Sequence, residues 1–203
     1  MKGHAYKFME VLMSSIAART YLTPEEYLTF ERKAITKHEY LSGEIVAMSG
    51  ASNAHNLITG DVFAELHSQL KGGECLVYTG DMRVKTSPTT SYFYPDITVV
   101  CDKPRFEDHT FDTLLNPIVV IEVLSPSTEA YDKGEKFARY QQLVSLQEYI
   151  LVSQDHVRVQ HYLRRETQWL QTEFRELDDV MPLNSIECTL YLRDIYSRVD
   201  LSD

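Results

Sequence analysis

The chain has 203 residues, 43% hydrophobic and 25% charged, and its 20 Lys and Arg against 30 Asp and Glu give a net charge of −10. That balance suits a compact globular domain with a real core and excludes disorder, collagen-like repeats and a disulfide-built miniprotein. It also argues against a surface coated for nucleic acid, and no stretch approaches the roughly 20 apolar residues of a membrane span, so a cytoplasmic protein is expected.

Charge is spread unevenly. Residues 166–203 hold nine acids against three bases, whereas 129–165 hold five acids against six bases, which leaves room for a non-acidic face there. Cys75, Cys101 and Cys188 are widely separated, with no Cys-X-X-Cys or His pairing at zinc spacing, and read as buried free thiols.

At the start, the apolar run 8–18 is interrupted by Glu10 and lacks a cleavage signature, so it is not read as a secretory signal. Met13 is an alternative start. Residues 1–20 read as an extension or short helix, and 21–203 as one domain without repeats. Thr23-Pro24-Glu25-Glu26 combines a cap, a Pro at the first helical position and Glu three residues after the cap, which predicts a helix to about Arg32. Residues 39–46 read as a hairpin turning at Ser42-Gly43. A helix capped by Ser52 or Asn53 follows, with Ile58, Val62, Leu66 and Leu70 on one face and Gly72-Gly73 at its end.

Strands are predicted at 75–78, 82–85 and 92–100, the last made irregular by Pro95. Residues 117–124 form a continuous apolar run broken by one charge, the mark of a central strand covered on both faces. Ser125-Pro126-Ser127-Thr128 ends it. A helix over 129–144, strands near 148–152, 156–164 and 168–174, and a short helix near 192–196 complete the series. The order predicts an α/β or α+β class, a mixed β-sheet flanked by helices.

Glu122 is the most informative residue, because an ionised carboxylate inside a buried strand costs several kcal/mol unless something compensates it. A metal, an Arg or Lys, or a captured proton must answer it. Asp96, after Pro95 and between two apolar runs, poses the same question. Two such acids on neighbouring strands can converge on one hard divalent cation, or each can form a structural ion pair.

Taken together, Pro95-Asp96 and, after 25 intervening residues, Glu122-Val123-Leu124 resemble the Pro-Asp…(Asp/Glu)-X-Lys signature of the restriction-endonuclease-like superfamily. Further stretches are similar to the Uma-type bacterial family of putative restriction endonucleases within it: Glu39-Tyr40-Leu41-Ser42-Gly43-Glu44, Ser49-Gly50-Ala51-Ser52 with His55, Ser125-Pro126-Ser127-Thr128, Lys136-Phe137-Ala138-Arg139-Tyr140, and Glu148-Tyr149. The similarity spans about residues 20–196. It departs at Leu124, which stands where the superfamily has Lys. The resemblance gives that role to Lys136 on the following helix, with Lys133, one turn earlier, as a substitute.

The resemblance implies a restriction-endonuclease-like fold and a metal-dependent endonuclease acting on DNA. Asp96, Glu122 and the main-chain carbonyl of Val123 would hold Mg²⁺ or Mn²⁺, Lys136 would be catalytic, and the protein would be a homodimer. His55 is an accessory candidate that could contact a phosphate, orient a water or cap backbone groups. Glu39 and Glu44 are candidates for an outer contact to a metal-bound water. Leu124 and the acidic balance favour an alternative, a nuclease-fold module that binds nucleic acid or protein without cutting.

Overall fold

A computed structural model describes residues 21–87 and 90–201, so the expectations for residues 1–20, including a start at Met13, lie outside the described residues. The described backbone divides into two compact units, one up to residue 49 and the other from residue 50 on.

In the first unit, helix α1 (Pro24–Glu31) begins where the sequence predicts. The Thr23 hydroxyl accepts from Glu26 N at 3.2 Å and the Glu26 carboxylate accepts from Thr23 N at 3.0 Å, a reciprocal cap that satisfies two otherwise orphaned donors. Strands β1 (His38–Leu41) and β2 (Glu44–Ala47) pair antiparallel. Ser42 and Gly43 both take positive φ, 51° and 117°, as a two-residue hairpin turn requires. The Tyr27 and Tyr40 rings pack 5.0 Å apart, and their hydroxyls donate to His38 O and Leu22 O.

The second unit is organised by a six-stranded sheet ordered β11-β10-β9-β8-β6-β3. Its members are β3 (Leu76–Thr79), β6 (Ile97–Val100), β8 (Val119–Leu124), β9 (Glu148–Ser153), β10 (Val159–Arg165) and β11 (Gln168–Phe174). β8 runs parallel to β9 and antiparallel to β6, so the sheet is mixed, as the element order predicts. All six residues of β8 are buried. Side chains alternate across a strand: Val119, Ile121 and Val123 join a core with Ile58, Val62 and Leu66 of helix α2 (Asn53–Leu70). Val120, Glu122 and Leu124 therefore point to the other face.

On that face lies a continuous helical run, α3, built of an α turn (Glu129–Tyr131), a wide π turn (Asp132–Lys136) and a second α turn (Phe137–Tyr140). It is shorter than the predicted 129–144. Phe137 stacks on Tyr149 of β9 with ring centroids 4.6 Å apart, which holds the run against the sheet.

The expected strand over 92–100 is two strands in different sheets. β5 (Ser91–Phe93) pairs with β4 (Arg83–Thr86), which pairs in turn with β7 (Thr113–Leu114), while β6 belongs to the larger sheet. Pro95 cannot donate to a ladder, and the chain changes sheet there. Two further strands, β12 (Val180–Leu183) and β13 (Cys188–Tyr191), form a hairpin that the sequence reading did not anticipate, and α4 (Leu192–Ile195) follows directly.

The expectation of three free thiols is corrected at two positions, because Cys75 and Cys101 form a disulfide. Leu76 pairs with Val100, and one step further the two cysteines face each other with Cα atoms 4.0 Å apart. Their separation of 26 residues hid this cross-strand proximity. Cys188 is free and buried as expected, and burial together with the Glu148 charge pushes its thiol up. Among the described residues no helix is long and apolar enough to cross a membrane.

Candidate active site

Glu122 is about 4% exposed and Lys136 about 5%, and Lys136 Nζ lies 2.9 Å from Glu122 Oε1. The lysine reaches back from the π turn of α3 to the strand that precedes it. The same ammonium is 3.5 Å from Asp132 Oδ1, one turn earlier, and 5.6 Å from the centre of the Phe93 ring. Tyr140, four residues after Lys136, donates weakly to Glu122 Oε1 at 3.4 Å. Asp132, Lys136 and Tyr140 thus line one face of α3, and the carboxylate on β8 meets two of them.

Asp96 stands just before β6. The ladder pairs Ile97 with Ile121, so one further step brings Asp96 opposite Glu122. Its Oδ2 accepts from Val123 N at 2.7 Å, and its Oδ1 lies 2.8 Å from His55 Nε2. An ionised carboxylate only accepts, so Nε2 carries the proton in this contact. In an extended strand a residue's N–H and C=O leave on the same edge. The Val123 carbonyl therefore faces the side on which Asp96 sits.

His55 is set by the start of α2. Ser52 caps the helix by accepting from His55 N at 3.0 Å, and its hydroxyl donates to Gln154 Oε1 at 2.6 Å, just beyond β9. The contact His55 makes, with the Asp96 carboxylate, is none of the three roles expected of it from sequence. Lys133 pairs with Glu129 on the outer side of α3, away from the Lys136–Glu122 contact. Glu39, buried on β1, and Glu44, exposed on β2, belong to the first unit.

The oxygen donors Asp96, Glu122 and the Val123 carbonyl suit a hard cation. Among the described residues there is no group of three or more His, Cys, Asp or Glu side chains arranged to hold a metal. Two carboxylates are nevertheless a sufficient protein share for magnesium, which keeps several of its waters. The residues present fit such an ion.

Sequence reasoning missed two participants. Asp132 was passed over, although its i, i+4 spacing to Lys136 on a helix is a readable signal. Phe93, whose ring Lys136 overlies, comes from a strand of another sheet, and no spacing rule announces that.

The mixed sheet with an acid pair at the ends of β6 and β8 and a lysine returning from the next helix defines a restriction-endonuclease-like fold. The crystal structure of a putative nuclease of the DUF820 family from Anabaena variabilis shares it, with a TM-score of 0.73 over 87% of this chain and 98% of its own at 20% identity. The chain belongs to the Uma2 family, described as putative restriction endonuclease, whose model matches residues 24–193. Two proteins of Synechocystis sp. are similar to it: sll1609, 38% identical over 162 residues (79% of this chain, 92% of that protein), and slr1290, 38% identical over 176 residues (86% and 91%).

Proposed function

We propose that this protein is a metal-dependent endonuclease that hydrolyses DNA phosphodiester bonds, with Asp96, Glu122 and the Val123 carbonyl holding Mg²⁺ or Mn²⁺. The observation that carries the reading is the 2.9 Å contact of Lys136 with Glu122. It offers a cation where Leu124 leaves none. An ion held there would polarise the scissile phosphate and lower the pKa of a bound water.

The chain's own residues have separate tasks in this scheme. The Val123 N–H and His55 fix the Asp96 carboxylate, each taking one oxygen and leaving lone pairs on both. Lys136 provides a positive charge in a largely water-excluded setting, where it can stabilise charge developing on the phosphate more strongly than in water. Phe93 and Tyr140, whose rings pack 5.1 Å apart, border that setting. By family resemblance the product carries a 5′-phosphate and the protein acts as a homodimer.

A second reading has its own support. Glu122 and Lys136 are nearly inaccessible and bonded to each other, as in a nuclease-fold module that binds without cutting. Nicking of supercoiled plasmid in Mg²⁺ or Mn²⁺ against chelator separates the two. The nuclease reading expects metal-dependent nicking that falls at least about 100-fold in Asp96→Asn, Glu122→Gln and Lys136→Ala. Folded wild-type protein that binds DNA yet nicks nothing with either ion would decide for the binding module.

A further inference from the structure

The Lys136 ammonium contacts two buried carboxylates, not one. It lies 2.9 Å from Glu122 and 3.5 Å from Asp132, and both acids are about 4% exposed. The three groups together carry one net negative charge. If Glu122 is to bind a divalent ion, the lysine bonded to it is a competitor at the same carboxylate. A cation expelled from one buried acid needs another to receive it, since an ammonium left without a counter-ion in this setting is strongly disfavoured.

We infer that Asp132 is a positioning residue: it is the counter-ion that receives Lys136 when Glu122 turns to a divalent cation. This rests on the proposed metal site and assigns its regulation to a residue that touches neither ion nor substrate. Three features of the fold support it. Asp132 opens the π turn that Lys136 closes, so the two are joined by a short, rigid span. Its backbone carbonyl accepts from the Tyr149 hydroxyl at 3.0 Å, anchoring the acid to β9 independently of its side chain. The lysine needs only a small movement to exchange its nearer acid for its farther one.

The sign of each effect follows. Replacing Asp132 by Asn leaves Lys136 only Glu122 of the pair, so the ion must displace a more firmly held lysine and binds more weakly. Replacing Lys136 by Met removes the competitor, so the ion binds more tightly. Because Asp132 acts through Lys136, its own replacement has little effect once the lysine is gone.

Calorimetric titration of Ca²⁺ and Mn²⁺ into wild type, Asp96→Asn, Asp132→Asn, Lys136→Met and the Asp132→Asn/Lys136→Met double variant tests this without any cleavage assay. Asp132→Asn should weaken binding about fivefold in the wild-type background and by less than about twofold in the Lys136→Met background, the mark of energetic coupling. Lys136→Met alone should tighten it about fivefold or more. Wild type that binds no ion, or Asp96→Asn that binds equally well, would remove the metal site itself. A functioning metal site with an unchanged affinity in Asp132→Asn, or the same loss in both backgrounds, would overturn the role given to Asp132 alone. Should Asp132→Asn fail to fold, the Lys136→Met titration decides, since an affinity no tighter than wild type refutes the competition.

Discussion

Removing Lys136 tests the electrostatics of the site without reference to catalysis. In Lys136→Met, Glu122 and Asp132 remain as two nearly inaccessible acids that have lost a shared cation at 2.9 and 3.5 Å. Breaking a buried pair by deleting one partner costs about 3–5 kcal/mol. In a chain of this length each kcal/mol moves the melting temperature by about 2–4 °C, so a fall near 10 °C is expected. Glu122→Gln is gentler, because Lys136 keeps Asp132 and the new amide oxygen can still take the Tyr140 hydroxyl, at a cost of about 1–2 kcal/mol. The double variant should cost less than Lys136→Met alone, since one of the two stranded acids is then neutral. Thermal and urea melts in chelator at neutral pH measure all three. If Glu122→Gln costs as much as Lys136→Met, or if the two losses simply add, the ammonium is not shared between the acids and the account is wrong.

Four further outcomes are expected. Replacing chelator by Ca²⁺ at fixed ionic strength should raise affinity for duplex DNA at least about tenfold by fluorescence anisotropy, and Asp96→Asn should blunt the gain. Lys133→Ala, whose lysine pairs with the partly exposed Glu129, should stay within about 0.5 kcal/mol of wild type in urea melts and keep its nicking rate, in contrast to Lys136→Ala. Tyr196→Phe should lose about 1–3 kcal/mol in the same melts, because the buried hydroxyl donates to Ser153 O at 2.9 Å and accepts from Arg158 N. Opening the Cys75–Cys101 bond with reductant should cost about 3.5 kcal/mol from the chain entropy of the loop it closes, read as a lower urea midpoint relative to the non-reduced protein.

What was legible in the sequence was mostly local. The capping box at Thr23 and the positive-φ pair Ser42-Gly43 are decided by residues within four positions of one another, and both elements form where those residues stand. Glu122 could be singled out because a charge in an otherwise unbroken apolar strand is an anomaly that one dimension suffices to show. Its partner could be named only through family resemblance, since nothing local tells Lys136 from Lys133. Non-local pairing was not legible. Cys75 meets Cys101 because β3 and β6 are neighbours, and Phe93 reaches Lys136 because the chain changes sheet at Pro95. The β12–β13 hairpin escaped because its residues alternate weakly between apolar and polar, with Pro182 inside a strand.

The π turn over Asp132–Lys136 is an α-helix carrying one surplus residue. Each residue of an ordinary helix turns the chain by about 100°, so everything after such an insertion is rotated by about that amount relative to what precedes it. Here the rotation brings Phe137 and Tyr140 inward onto the sheet while Asp132, before it, is also inward. One short helical run thus presents Lys136 and Tyr140 to Glu122 of β8 and Phe137 to Tyr149 of β9. Lys136, the last residue of the wide turn, is thereby held 2.9 Å from Glu122 of β8, while the residue after it already packs on β9.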